Sequence, residues 1–192
     1  MTEHILGTIQ KVQIQREPLK QGSPTRYQPA GILQVAGLRI TPTGLVGITS
    51  DGGELLDVHN SAHPQTRYRG GNALSFGFTG HYDHLRERFG AHLHDGTAGE
   101  NVIVAGPALT PAELGARLGI RHAGGVIVLE SIRWIPPCAA FSQYAAGHQL
   151  TGAEQRQALQ FLSEGRRGYY AAPSDDAVGV VLRPGDALIV ME

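Results

Sequence analysis

The chain holds a single cysteine, Cys138, and that scarcity removes several chemistries at once. A lone thiol forms no intramolecular disulfide and offers no Cys-x-x-Cys clip for a metal. Long apolar runs are missing as well. No stretch of about 18 apolar residues occurs, and Met1 to Lys20 carries Glu3, Lys11, Arg16 and Glu17, so neither a spanning helix nor a signal peptide is expected. The protein is therefore expected in the cytoplasm, a reducing setting that suits an unpaired thiol. Nor is there an excess of either charge, with 16 Lys and Arg against 17 Asp and Glu. General nucleic-acid and membrane-surface binders rely on a basic surplus, so neither partner is expected.

Familiar catalytic signatures are absent too. There is no Gly-x-Ser-x-Gly elbow for a serine hydrolase. The nine histidines form no His-Glu-x-x-His. His81 and His84 share a helix face, His92 and His94 would share a strand face, and His59 and His63 sit in a loop; exposed histidines on a polar face explain the first pair better than zinc does. The glycine-rich Gly96-Thr97-Ala98-Gly99-Glu100-Asn101 lacks the Lys-Ser/Thr of a phosphate-binding loop. It reads as a turn between strands whose Glu100 and Asn101 make local backbone bonds.

What is abundant is punctuation. The 26 glycines and 11 prolines are spread along the chain, which suits many short strands. Near-alternation predicts a strand over Ile5 to Gln15, followed by a Pro- and Gly-containing loop from Glu17 to Pro29. Strands follow at Ile32 to Ile40 and Gly44 to Thr49, joined by a tight turn. Asp51 to Asn72 has no core pattern, and irregular loops of that length are more often functional or disordered than neutral. A helix capped by Thr79 places Tyr82, Leu85 and Phe89 on one face and stops at Gly90. Val102 to Ala105 is apolar. Capping boxes at Thr110-Pro111-Ala112-Glu113 and Thr151-Gly152-Ala153-Glu154 predict helices ending near Leu118 and Gly165. Gly125 to Ile135 reads as a central strand, and Ala177 to Leu182 and Ala187 to Met191 as two last strands joined by a type II turn at Arg183-Pro184-Gly185-Asp186. The sum is nine or ten strands and three helices, expected as one domain over residues 1–192: a β-rich α/β fold, a β-barrel or strongly bent sheet decorated by helices.

Cys138 follows Pro136 and Pro137, which end the strand and impose a stiff, non-helical segment. Three readings of the thiol stay open: a buried small hydrophobe, a reactive thiolate, or one ligand to a soft metal. A functional thiol needs a positive neighbourhood, which Arg67, Arg69, Arg133, Arg166 and Arg167 could supply. Individually each reads as a solvated surface arginine, so attraction of an anion by Arg167 is expected to be screened by salt.

The order of segments resembles the MOSC domain, the family named for the C-terminal part of molybdenum cofactor sulfurase and found also as stand-alone bacterial proteins. The resemblance rests on the loop rich in Gly and His, the helix from His81-Tyr82 to Arg86-Glu87-Arg88-Phe89-Gly90, Gly99-Glu100-Asn101, Pro137-Cys138 after a long strand, Arg167-Gly168-Tyr169-Tyr170, and Pro184-Gly185-Asp186. It spans about Gly31 to Val190. It implies a barrel-like fold and a link to molybdenum cofactor or sulfur chemistry, with Cys138 as metal ligand or sulfur carrier. His59, His63, Arg69, Gly99, Glu100, Asn101, Arg166 and Arg167 are the implied cofactor-binding residues. The chemistry implied is a reduction of N-hydroxylated compounds, with a redox or sulfur-donor protein as partner; a small-anion binding module without catalysis is the alternative. Pyridoxal phosphate attaches to the family by association only, and the chain has no convincing Schiff-base lysine site. The chain also departs from the family. His63-Pro64-Gln65 stands where members have a compact His-Gly-Gly, and the N-terminal β-domain of larger relatives is not expected within these 192 residues. The pocket is expected where the loop 57–71, the Gly96–Asn101 turn and the Arg166-Arg167 segment meet Cys138.

Overall fold

A computed structural model describes residues 3–115 and 117–191. In chain order the strands are β1 (Glu3–Gln15), β2 (Lys20–Gln21), β3 (Arg26–Tyr27), β4 (Ile32–Val35), β5 (Gly37–Thr41), β6 (Gly44–Ile48), β7 (Glu54–Leu56), β8 (Leu74–Phe78), β9 (Val102–Ala105), β10 (Leu118–His122), β11 (Gly125–Trp134), β12 (Tyr169–Pro173), β13 (Val181–Leu182) and β14 (Ala187–Met191). The helices are α1 (Thr79–Phe89), α2 (Ala139–Ala146) and α3 (Gly152–Phe161).

Strands β1, β14, β10, β11, β12, β8 and β9 pair in that order, and β9 returns to β1 to close a seven-stranded barrel. Closure leaves the barrel no free edge. Among the described pairings β8–β9 is parallel, and parallel neighbours need a crossover; α1 lies in it. Strand β1 reaches three partners because its register shifts between Ile5 and Gly7 and between Ile9 and Lys11, which bends it. A second sheet, ordered β13-β5-β6-β7, stands beside the barrel.

Alternation fills the barrel interior. Ile9, Val12, Ile14, Leu74, Phe76, Phe78, Val102, Val104, Leu118, Ile120, Ile127, Leu129, Tyr169 and Leu188 are buried together. A separate cluster under the helices joins Leu19, Tyr27, Tyr82, Leu85, Leu93, Phe141, Ala145 and Leu162. The site described below lies between these two cores.

Several expectations change. Ile32 to Ile40 is two strands, because the chain leaves β1 after Val35 and joins the second sheet at Gly37. At Thr110 the capping hydrogen bonds do form, Glu113 Oε2 accepting from the Thr110 N–H at 2.8 Å and Oγ1 at 2.7 Å, yet no helix follows. Leu118 is claimed by pairing with Leu129 and Val190, so tertiary pairing overrides a local helix signal. The third helix is instead α2, directly after Cys138. Thr151 is the N-cap of α3, without a side-chain capping bond. Phe78, not Thr79, caps α1. The turn at Arg183–Asp186 forms as expected, with Asp186 N–H donating to Arg183 O at 3.2 Å and Gly185 at φ +100°.

His81 also departs from its expected surface position. It is 2% exposed, packs against Phe78 and Tyr169, and pairs through Nε2 with Leu109 O at 3.0 Å. Burial pulls its pKa from the ordinary 6.5 to about 4, against the opposing hydrogen bond to Leu109. The unfolded chain therefore binds more protons in this window, and stability rises with pH from about 4 to 6.5. Full above 6.5, this contribution is lost as pH falls toward 4, and the shift corresponds to about 3 kcal/mol. Urea unfolding of His81→Gln is expected to show a correspondingly shallower loss between those pH values; an unchanged slope contradicts this account.

Candidate functional site

The site gathers where one end of the barrel meets the helices. Strand β11 ends at Trp134, and Ile135 N–H donates to Gly168 O at 2.9 Å, fixing the Pro136-Pro137-Cys138 segment beside the residues that precede β12. Gly168 has φ +83°, and a Cβ there would lie 2.5 Å from Phe76 O. Only glycine brings the backbone so close to β8, and this approach seats Arg167 below the pocket.

Cys138 is the N-cap of α2, its carbonyl accepting from Ser142 N–H at 3.0 Å. The thiol is half-buried. Arg167 Nη1 lies 3.6 Å from its sulfur, and Nη2 donates to Ala98 O at 3.1 Å. Burial pushes the thiol pKa up, but the Arg167 charge, the Phe141 backbone N–H and Lys20 more than reverse it, so the net shift is downward. A helix N-terminus and a guanidinium both favour thiolate over thiol.

Arg167 is not the solvated arginine expected from the sequence: it is 5% exposed, with its guanidinium 3.9 Å from the centre of the Phe141 ring. Its Nε is buried without a hydrogen-bond partner among the described residues. Glu100 lies buried nearby, accepting from Tyr82 OH at 2.6 Å. Burial raises the Glu100 pKa, opposed by that hydrogen bond and by the charges of Arg167 and Lys11.

Asn101 is structural rather than lining. Its Oδ1 accepts from Ser75 N–H and Oγ at 3.1 and 2.9 Å, while Nδ2 donates to Asp57 Oδ2 at 2.9 Å and Gln13 O at 3.3 Å. Three chain segments are thus tied by one amide, and the expectation of merely local bonds at Glu100 and Asn101 fails. Asp57 in turn accepts from Gln15 N–H at 2.8 Å and from His59 N–H at 2.7 Å, with His59 Nδ1 at 3.0 Å from Oδ1. Asn101→Ala strands these buried partners and is expected to destabilise the fold by about 2–4 kcal/mol in urea unfolding. A change below about 0.5 kcal/mol contradicts this role.

The resulting pocket has a volume of about 690 Å³. Lys20, Arg67, Arg69, Arg133 and Arg167 line it together with Cys138, and no Asp or Glu does so among the described residues. His59, Gly99 and Tyr170 complete its wall, and Arg133 stacks on Tyr170 at 5.5 Å. Gly99, at φ +95°, passes so close to Leu19 that a Cβ would meet it at 2.6 Å.

Of the residues singled out in the sequence, Cys138, His59, Arg69, Gly99 and Arg167 thus border one cavity, and Glu100 and Asn101 brace it from beneath. His63 and Arg166 do not line it. His63 Nε2 is 3.0 Å from Arg16 O, and its Nδ1 accepts from Gln65 N–H. Arg166 lies over the Phe161 ring at 5.1 Å and donates to Phe161 O at 2.9 Å, because α3 leads it away from the cysteine. Lys20 and Tyr27 were not anticipated. They belong to the small β2–β3 hairpin, whose Tyr27 packs edge-on to Phe141 and donates to Thr97 O at 2.8 Å. Nothing in the polar run around them marks that contact. No group of three or more His, Cys, Asp or Glu side chains is placed to hold a metal among the described residues.

Fold and site define a class: a small mixed β-barrel presenting one thiol at a helix N-terminus inside a cation-lined pocket. Residues 65–189 match the model of the MOSC domain, and the chain belongs to the MOSC domain family. Membership links it, at the level of the family, to molybdenum cofactor or sulfur chemistry. The crystal structure of the YuaD protein from Bacillus subtilis superposes with a TM-score of 0.57 at 14% identity, over 98% of this chain and 96% of that one. A structure described as a hypothetical protein gives 0.49 at 18% identity, over 95% and 67%. At such identities the likeness to YuaD is one of fold. No curated protein sequence matches the chain.

Proposed function

We propose that the pocket binds molybdenum cofactor or a related sulfur-bearing group through Cys138, and that the bound form reduces small N-hydroxylated compounds. The observation that carries this is the thiol at the N-terminus of α2, 3.6 Å from the buried Arg167. The residues suit such a group on three counts. A soft thiolate matches a metal that already has sulfur ligands. The unpartnered Arg167 Nε is a buried donor in want of an acceptor. The cavity falls within the usual range for small-molecule sites.

When bound, the cofactor would supply the redox chemistry of that reduction. The protein's own residues hold and orient. Arg167 favours the thiolate form of the sulfur, while Lys20, Arg67, Arg69 and Arg133, which line the pocket, would meet the cofactor's phosphate with charge-assisted hydrogen bonds. His59, oriented by Asp57, forms part of the wall. Pyridoxal phosphate is not proposed.

The test is metal analysis of protein purified from a molybdenum-replete host, with mass spectrometry of the thiol. Stoichiometric molybdenum, or a mass increment of one sulfur on Cys138, is expected. Finding neither overturns the proposal. In that event a pocket that bears five cationic side chains and, among the described residues, no carboxylate favours a second reading, a binding module for a small anion.

A further inference from the structure

The same pocket brings together features that need no metal. Cys138 is the only cysteine of the chain and is half-buried at the N-cap of α2. Arg167, 5% exposed, touches its sulfur through Nη1 and carries a buried Nε with no partner among the described residues. The five cationic side chains that line the pocket are an independent sign that it suits an acceptor-bearing, anionic ligand. Around the thiol stand Lys20, Arg67, Arg69 and Arg133, all exposed and, among the described residues, unopposed by any lining carboxylate. A cavity of one charge sign concentrates ligands of the other.

We infer that Cys138 is a covalent acceptor for small anionic disulfides, taking up one half of the reagent as a mixed disulfide. The step is thiol–disulfide exchange. The Cys138 thiolate attacks one sulfur of R–S–S–R, a new Cys138–S–S–R bond forms, and the other half leaves as R–S⁻, which takes a proton from water according to its own pKa. The reagent's departing sulfur is reduced and the cysteine sulfur oxidised, so no further oxidant is needed. Lys20, Arg67, Arg69 and Arg133 select reagents that bear carboxylates, and Arg167, 3.6 Å from the attacking sulfur, favours its thiolate form. Because the chain has no second thiol, the adduct persists until an external thiol displaces it. The lowered pKa of Cys138 supports the same assignment.

The test uses metal-free protein and two reagents, dianionic dithiobisnitrobenzoate and dicationic cystamine. Each rate is divided by that of a short peptide carrying the Ile135–Phe141 sequence, which cancels intrinsic reactivity. The corrected preference for the dianion is expected to reach about 100-fold at low ionic strength and to fall at least about fivefold in 1 M salt. Arg69→Glu and Arg133→Glu, tested separately, should each reduce it. If either variant fails to fold, the salt dependence of the parent protein decides. A preference within about threefold, or one insensitive to salt, overturns the inference. So does a thiol that reacts only after denaturation. Since no molybdenum takes part, charge-selective exchange in a protein that retains no metal leaves this inference standing while the proposed function falls, and the converse result separates them equally.

Discussion

Cys138→Ser protein purified from a molybdenum-replete host is expected to carry neither molybdenum nor added sulfur, while its stability stays within about 1 kcal/mol of the parent. The two halves of this result have different causes. Serine is a favoured N-cap, so α2 keeps its first residue, and a half-buried sulfur replaced by oxygen leaves little cavity. A hydroxyl is harder than a thiolate and far less acidic, so it neither ligates a soft metal nor accepts sulfur. Iodoacetamide gives the matching check on the parent protein. The Cys138 thiol should alkylate at lower pH than a free cysteine does, because its pKa is lowered. The thiolate fraction, and with it the rate, declines only as pH falls through that lowered pKa. Reaction only after denaturation, together with marked destabilisation by Cys138→Ser, identifies the thiol as a packing residue.

Arg167→Leu is expected to have the largest combined effect: a loss of about 3 kcal/mol of stability and an upward shift of the pH at which Cys138 alkylates. The guanidinium sits on the Phe141 ring, bonds Ala98 O and offsets the buried Glu100. Its removal leaves that carboxyl with Tyr82 as its donor and an acceptor without a partner. Since Arg167 is buried, the effect on the thiol should persist at high salt, contrary to what a surface arginine would show. Arg167→Lys, which keeps the charge but not the planar fork, should restore part of the alkylation shift and less of the stability. An alkylation profile identical to that of the parent contradicts the proposed electrostatic role, whatever happens to stability.

Much of the fold was legible because periodicity reports burial. The alternation from Ile5 to Gln15 and the apolar runs Val102 to Ala105, Gly125 to Ile135 and Ala187 to Met191 all became barrel strands. Strands of the second half without such a signal were missed. Leu118–His122 offers only Leu118 and Ile120 as apolar positions in a five-residue run, and Tyr169–Pro173 is too brief for a period to emerge. The helix at Thr110 was misread because its capping bonds are local and real, whereas the pairing that forbids it comes from Leu129 and Val190.

The site divides along the same line. By itself the sequence determined that one thiol exists, that two prolines hold it in a stiff segment, that no intramolecular disulfide or thiol-pair metal clip can form, and that the order of motifs is that of the MOSC family. Those are properties of residue identity and of near neighbours in the chain. Which charges meet the thiol was decided by the tertiary structure alone. Arg166 and Arg167 are adjacent, yet the turn at Gly168 buries one against Cys138 and sends the other to Phe161. His59 and His63 lie in one loop, yet Asp57, itself held by Asn101, draws only His59 to the pocket wall. Barrel closure brings residues far apart in sequence to within hydrogen-bonding distance, and that closure is a balance over the whole core that no local stretch encodes.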